Sequence, residues 1–390
     1  MPSPSEHALL SASSAERWLH CTRAPRLEEQ LPESTSEYAE EGRLAHAIAE
    51  LKLRKHLVEP MGPRKFAAAL KKLKEDPLYQ PEMDGYTDAY VEHINNIAIG
   101  FHVRPFVDVE ARLDFSSVVP EGFGTGDCIM IGGDTLHIFD FKYGKGVAVE
   151  AEGNPQMRLY AVGALMVYGF LYNIQRVRTT IFQPRINNIS DAEISREELL
   201  NWATFDVKPK AAIAFAGEGE FVPGDWCRFC RARAQCRARA SCNLAAEEFK
   251  DSVPDLLSDD ELGGVLTRAV ALKKWAEDLE KYALAAVLQG RSITGWKAVE
   301  GRSNRQFANQ DQAFEAVINA GYPKELLYDT VPKTLSNVEK LLGKATFTQL
   351  LSGMVVKPQG KPALAPENDS RPPFQSSTAA QDFAETVKSE

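Results

Sequence analysis

No run of 18 consecutive apolar residues occurs in the 390-residue chain, so no membrane-spanning helix is expected. Residues 1–10 hold no basic segment followed by an apolar one, so no signal peptide is expected and a cytoplasmic location follows. Internal repeats are absent. Cysteine is scarce, with six residues in all. In a reducing compartment those six are not expected to form structural disulfides, whereas clustered cysteines there bind a metal or a cluster. A basic excess is missing too: the formal net charge is −9, which does not advertise a nucleic-acid partner.

The total conceals local patches. Between Cys227 and Cys242 lie Arg228, Arg231, Arg233, Arg237 and Arg239 with no acidic residue among them. A second basic stretch holds Lys52, Arg54, Lys55, Arg64, Lys65, Lys71, Lys72 and Lys74. Lysines at such density ordinarily form a solvated face. It is such patches, not the sum, that set the field a DNA strand meets. With 44% hydrophobic and 25% charged residues the composition is that of a globular protein, long enough for more than one folded unit.

Hydrophobic periodicity organises the chain. Ser13-Ser14-Ala15-Glu16 reads as a capping box opening a short helix with Trp18 and Leu19 that ends near Cys21. A second helix is expected over about 36–56. Leu44, Ala47, Ile48 and Leu51 form its buried stripe, and Arg43, His46 and Glu50 fall on another face. Residues 57–100 look helical. A strand-rich block follows. Residues 106–115 alternate, placing Val107, Val109, Ala111 and Leu113 on one side and Asp108, Glu110, Arg112 and Asp114 on the other. Residues 127–131 and 135–142 are two strands joined by a Gly132-Gly133-Asp134 turn. Residues 154–172 read as an apolar helix and 177–183 as a strand, and Ser195 caps a further helix. The pattern is α/β with a mixed sheet.

Past Cys242 the texture changes. Ser258-Asp259-Asp260-Glu261 caps a long helix ending near Gly290, with Leu272, Trp275, Leu279 and Tyr282 as a heptad-like seam. Residues 296–307 read as extended, and Ser336 caps a later helix. From about Lys357 the chain is rich in Pro, Ser, Ala and acid, and disorder is expected. Residues 1–245 therefore read as one domain, 246–356 as a mainly helical domain and 357–390 as a tail.

The sharpest chemical signal is Gly126-Asp127 followed on the next strand by Asp140-Phe141-Lys142. Alternation puts Asp140 and Lys142 on one face with Leu136 and Ile138. The hairpin brings both aspartates to one rim. Two carboxylates there suit a hard divalent ion, Mg2+ or Mn2+, and His46 could add a nitrogen, a better ligand for manganese than for magnesium. Such an ion lowers the pKa of bound water and offsets charge on a phosphodiester, while Lys142 orients the water or steadies that charge. Gln156 and Tyr160 lie four residues apart on one helix face. Glu110 is a weaker extra candidate, expected to face solvent or to pair with Arg112.

Gly42-Arg43-Leu44-Ala45-His46, Gly126-Asp127, Asp140-Phe141-Lys142 and Gln156-Met157-Arg158-Leu159-Tyr160, in that order, resemble the ordered motifs of RecB-like nucleases of the PD-(D/E)XK class. The resemblance covers roughly residues 8–245. It implies a restriction-endonuclease-like core and a DNA exonuclease working from ends. It also implies His46, Asp127, Asp140 and the Phe141 carbonyl as metal ligands and Lys142 as the catalytic lysine. Gln156 and Tyr160 would hold the substrate or the lysine.

Cys227, Cys230 and Cys236 give C-x2-C-x5-C, and three ligands do not complete a tetrahedral site. Cys21 is the natural fourth, with Cys242 as a rival and Cys128 as a buried bystander. Spacing alone favours Zn2+. One cysteine upstream and the triplet downstream of the nuclease motifs instead resembles the iron–sulfur subset, which includes AddB-type and CRISPR adaptation exonucleases. That implies a 4Fe-4S cluster on Cys21, Cys227, Cys230 and Cys236. Joining Cys21 to Cys227 closes a loop of about 200 residues, worth ~5 kcal/mol in the chain-entropy view. Arg228 and Arg231 would then lie on a rigid basic surface for phosphates.

The whole-chain look, with Ser-x-Ser-x-x-x-x-Trp-Leu at Ser11 to Leu19 and Gly295-Trp296-Lys297-Ala298-Val299-Glu300-Gly301-Arg302-Ser303-Asn304-Arg305 late on, is similar to phage and prophage proteins with this core. That implies a role in phage replication or recombination, with a single-stranded-DNA-binding or recombination protein as partner. Two other readings stand beside the enzyme: a non-catalytic DNA-end-binding or scaffold protein, and a zinc-stabilised interaction protein.

Overall fold

The structure, a computed structural model, describes residues 8–32, 37–244, 259–299, 309–321, 323–328, 333–351 and 354–355. It divides into a unit of residues 1–299 and a second of residues 300–390. In the first, two short helices, α1 (Ala15–His20) and α2 (Ala24–Glu28), precede α3 (Glu37–Leu53), α4 (Pro63–Lys74) and α5 (Glu82–Ile99). A five-stranded sheet follows, with β1 (Phe106–Asp114), β2 (Phe123–Gly132), β3 (Thr135–Phe141), β4 (Arg176–Gln183) and β5 (Asn188–Ser195) adjacent in chain order. Only β3 and β4 run parallel; α6 (Pro155–Tyr168) is the crossover between them, as a parallel pair requires.

The sheet is buried on both faces. Ile129, Ile131, Leu136 and Ile138 pack on the α6 side with Trp18, Met157 and Leu159. Cys128, Met130, Phe139 and Phe141 pack on the α3–α5 side with Ile48, Leu53, Tyr90 and Ile94. This two-sided burial explains why all seven residues of β3 are buried. Gly133, at φ +59°, makes the β2–β3 turn that the sequence signals.

The expected alternation of β1 fails at one residue. Val109 belongs to the α3–α5 core, but Ala111 and Leu113 belong to the α6 core. The strand changes faces at Glu110, whose φ is +53°, and the regular pairing of Val109 with Cys128 and of Ala111 with Gly126 skips it. A left-handed non-glycine residue costs of order 1–3 kcal/mol, so surrounding contacts must hold it.

Other differences have local causes. Helix α1 forms as expected without its capping box: the Ser14 hydroxyl donates to the Ser11 carbonyl instead. At Ser195 the box is complete in both directions and opens α7 (Arg196–Trp202). The crossover helix stops at Tyr168, short of Tyr172. Strand β5 has no expectation before it; its polar sequence suits an edge strand with one solvated side. Lys52 is not surface charge. It is buried and donates to the Asp84 carbonyl, Thr87 and Asp88, which satisfies all three ammonium donors.

Helices α8 (Lys208–Ala216), α9 (Arg237–Leu244) and α10 (Asp259–Leu288) complete the first unit. Within the first unit, Asp278 of α10 pairs with Arg233 and Arg239 of the cysteine segment. Trp275, of the expected seam, is buried. The second unit holds α11 (Gln310–Asn319), α12 (Leu335–Leu342) and α13 (Lys344–Leu351). Thr334, not Ser336, precedes α12. Most of the segment expected to be extended, residues 300–307, and the whole tail lie outside the described residues. No helix among the described residues is long and apolar enough to cross a membrane.

Candidate functional site

Regular β2–β3 pairing ends at Cys128–Phe139. Beyond that point a side chain takes over: the Asp127 carboxylate accepts the Phe141 backbone N–H at 2.7 Å. Strand β3 continues past β2 on its other side, where the Lys142 N–H donates to the Phe182 carbonyl at 2.9 Å. Asp127, Asp140, Phe141 and Lys142 are thereby gathered where two antiparallel strands separate.

On the α6 side, the Lys142 ammonium lies 2.9 Å from Asp140 Oδ2. Gln156, on the first turn of α6, reaches both: its Nε2 donates to Asp140 Oδ1 at 3.1 Å and its Oε1 accepts from Lys142 Nζ at 3.2 Å. The same amide lies 3.2 Å from the Tyr160 hydroxyl one turn along. Helix α6 is aimed there by Asn154, whose side chain caps Met157 N–H, and by Pro155 at its first position. Gly124 lets Tyr160 in, since a Cβ there would sit 2.7 Å from the ring.

On the α3 side, His46 Nδ1 lies 3.3 Å from Asp127 Oδ1, and the imidazole meets the Phe141 ring edge-on. Among the described residues, the ligand atoms of His46, Glu110 and Asp127 form the one set of three acidic, histidine or cysteine ligands lying within 4.8 Å of one another. Glu110 therefore points to the site, neither to solvent nor to Arg112, whose guanidinium lies over Phe123. Its alternating neighbours carried no signal of this, because it depends on the reversal of β1.

Burial and mutual charge shape the titrations. Burial disfavours the His46 imidazolium, but Asp127, with Asp140 and Glu110 behind it, outweighs that and lifts its pKa to about 9. Burial, with Asp127 and Glu50, raises Glu110 to about 7. Asp140 is raised by burial and by Asp127 in spite of Lys142. Asp127 is held below the carboxylate range: burial pushes it up, but His46 and the Phe141 N–H prevail. Burial opposes the Lys142 charge, and Asp140 more than restores it. A histidine, two or three carboxylates and an ammonium in one half-buried rim suit a hard divalent ion.

The cysteines form a second locus. Cys21, Cys227, Cys230 and Cys236 line one cavity with about 360 Å³ of free space, part of it continuous with solvent. Backbone N–H groups of Val222 and Gly224 donate to the sulfurs of Cys21 and Cys227, each at 3.4 Å. Burial raises the thiols of Cys21, Cys227 and Cys230, the last to about 12 with Glu28 adding to it. Cys242 is exposed and outside the cavity, and Cys128 is buried in the α3–α5 core.

The arginines around the triplet do not form one open basic surface. Arg233 and Arg239 both bind Asp278. Arg231 turns back to the Glu28 and Leu31 carbonyls, and its N–H donates to Glu28 Oε1. Arg228, over Phe229, and Arg237 are exposed.

Residues 7–372 match the family described as "Protein of unknown function (DUF2800)". The chain belongs to the DUF2800 family. A solved structure titled "Crystal structure of SSO0001" is similar to this DUF2800 chain at 12% identity and a TM-score of 0.23, covering 57% of this chain and 96% of that one.

Proposed function

We propose that this protein is a metal-dependent DNA exonuclease of the PD-(D/E)XK, RecB-like type that hydrolyses phosphodiester bonds from DNA ends, in phage replication or recombination. The observation that carries the reading is the Asp140–Lys142–Gln156 network beside the His46–Asp127 pair. The donors suit Mg2+ or Mn2+: His46 offers nitrogen, Asp127 and Asp140 oxygen, and the Phe141 carbonyl belongs to the same strand end. When bound, the ion would lower the pKa of a water and offset phosphate charge.

The chain's own residues do the rest. Lys142 keeps its proton at Nζ through Asp140, so it is a cation able to donate to a phosphate oxygen or to steady the attacking water. Gln156 fixes that ammonium through its carbonyl and Asp140 through its amide, so both keep one orientation before substrate arrives. The raised pKa values of His46 and Glu110 describe a site whose negative charges repel one another until a cation joins them.

Four cysteines from two distant segments line the cysteine cavity, which supports the reading of a 4Fe-4S cluster, with zinc as the alternative; such clusters are held by four cysteine thiolates. Cys21, Cys227, Cys230 and Cys236 would hold it, clipping the start of the chain to the segment after β5. DNA is the partner that follows from this reading.

Anaerobically purified protein, assayed with Mg2+ or Mn2+ on end-labelled single- and double-stranded DNA, tests it. Shortening from ends that stops in Asp140→Ala is expected. No cleavage with either ion, or cleavage within a few fold of wild type in Asp140→Ala, would overturn it.

A further inference from the structure

The carboxylate of Glu110 reaches the site only because β1 reverses its faces there, and a left-handed glutamate does not hold itself. Something must brace the reversed backbone. The contact that does so comes from just past the end of α3, two turns beyond His46. Arg54 Nη2 donates to the carbonyl of Val109, the residue before Glu110, at 2.8 Å, and Arg54 Nε donates to Glu50 Oε1 at 2.7 Å. His46, Glu50 and Arg54 are four residues apart in turn, so one helix face carries the ligand, the anchor and the brace. Arg54 also begins a single π turn, Arg54–Val58, that continues α3. Such turns interrupt helices where a side chain must be aimed.

We propose that Glu110 is a further protein ligand of the divalent ion, beside His46 and Asp127, and that Arg54 is the positioning residue that holds it there through the Val109 carbonyl. The inference rests on the metal-site reading above and extends it to two residues outside the nuclease motifs. Without the Arg54 donor, residue 110 returns to ordinary strand geometry, and its side chain turns away from His46 and Asp127. Arg54 contacts none of the other proposed ligands, so its effect on metal is proposed to pass through Glu110, whose backbone it braces and whose neighbour Glu50 it pairs with.

That last point makes the inference testable without cleavage. Mn2+ is titrated calorimetrically into the anaerobically purified full chain, with circular dichroism and melting recorded for each variant. Asp127→Asn controls the site itself: unchanged Mn2+ affinity in it would refute the metal reading whatever Arg54 does. With that control weakened as expected, Glu110→Gln should bind Mn2+ about 10–100-fold more weakly. Arg54→Met, which keeps the aliphatic stem and removes the donors, should lose about tenfold, and Arg54→Lys, which keeps one donor, should recover most of it. Arg54→Met in the Glu110→Gln background should cost no further affinity, as for two residues acting through one contact. Wild-type affinity in Arg54→Met or in Glu110→Gln, or additive losses in the double variant, would overturn the inference.

Discussion

Asp127 accepts the backbone N–H of Phe141 at 2.7 Å where regular β2–β3 pairing has stopped. One carboxylate oxygen thus pins a strand end while the other faces His46. The two jobs separate by substitution. Asp127→Asn keeps an acceptor for the N–H and should fold like wild type, yet lose at least 100-fold in cleavage. Asp127→Ala loses both and should also lose about 1–3 kcal/mol of stability, the cost of an unpaired, poorly solvated backbone donor. Urea unfolding of the two variants beside a cleavage assay checks this, and equal stabilities would show that the pin contributes nothing.

Gln156 is the shared partner of Asp140 and Lys142. Lys142→Met should abolish turnover. Gln156→Ala should reduce it about 10–100-fold, the usual effect of removing a group that orients a working residue. Single-turnover rates at saturating metal make the comparison. A Gln156→Ala enzyme at full speed would mean that the ammonium needs no guide.

Metal binding should strengthen with pH. Bound metal requires a neutral His46 and an ionised Glu110, whose pKa values in the folded chain are about 9 and about 7. Both are raised above their ordinary values. Each therefore stabilises the metal-free fold at low pH and loses that contribution as pH rises through about 7 for Glu110 and about 9 for His46. A cation replaces the lost protons, so the rise in melting temperature on adding Mn2+ should grow between pH 6 and 9. A shift that is flat across that range would show that these two groups do not meet the ion.

The four cavity cysteines should behave alike. Cys21→Ala, Cys227→Ala, Cys230→Ala and Cys236→Ala should each lose iron, the absorbance shoulder near about 400 nm expected of thiolate-bound clusters, and stability. Cys242→Ala and Cys128→Ala should keep iron, since one side chain is outside the cavity and the other is sealed in the α3–α5 core. Elemental analysis decides: iron retained in Cys21→Ala and absent in Cys242→Ala would move the fourth ligand, and zinc in the wild-type protein would remove the cluster.

Local pattern alone made much of the architecture and the site legible. The Gly132-Gly133-Asp134 turn forces Asp127 and Asp140 to the same rim, because a two-residue hairpin sets register and register sets faces. The four-residue spacing of Gln156 and Tyr160 places them together on α6, and the Asn154-Pro155 start orients that helix toward β3. Each of these relations spans a few residues and follows from fixed periods of strand and helix.

What the tertiary structure decided are the relations between distant segments that break those periods. Alternation presumes regular dihedrals and so groups Glu110 with Arg112, whereas its left-handed backbone, next to a Val109 carbonyl bonded by Arg54 from 56 positions earlier, brings it to His46 and Asp127. The arginines near the cysteines looked like a free cationic surface until Asp278, on a helix some 40 residues on, paired with two of them. Strand β5 carries no apolar pattern of its own, because an edge strand owes its place to pairing with β4. Periodicity reports which side of an element is apolar; it carries no record of which remote side chain will supply a hydrogen bond or an opposite charge, and those contacts set the final geometry of this site.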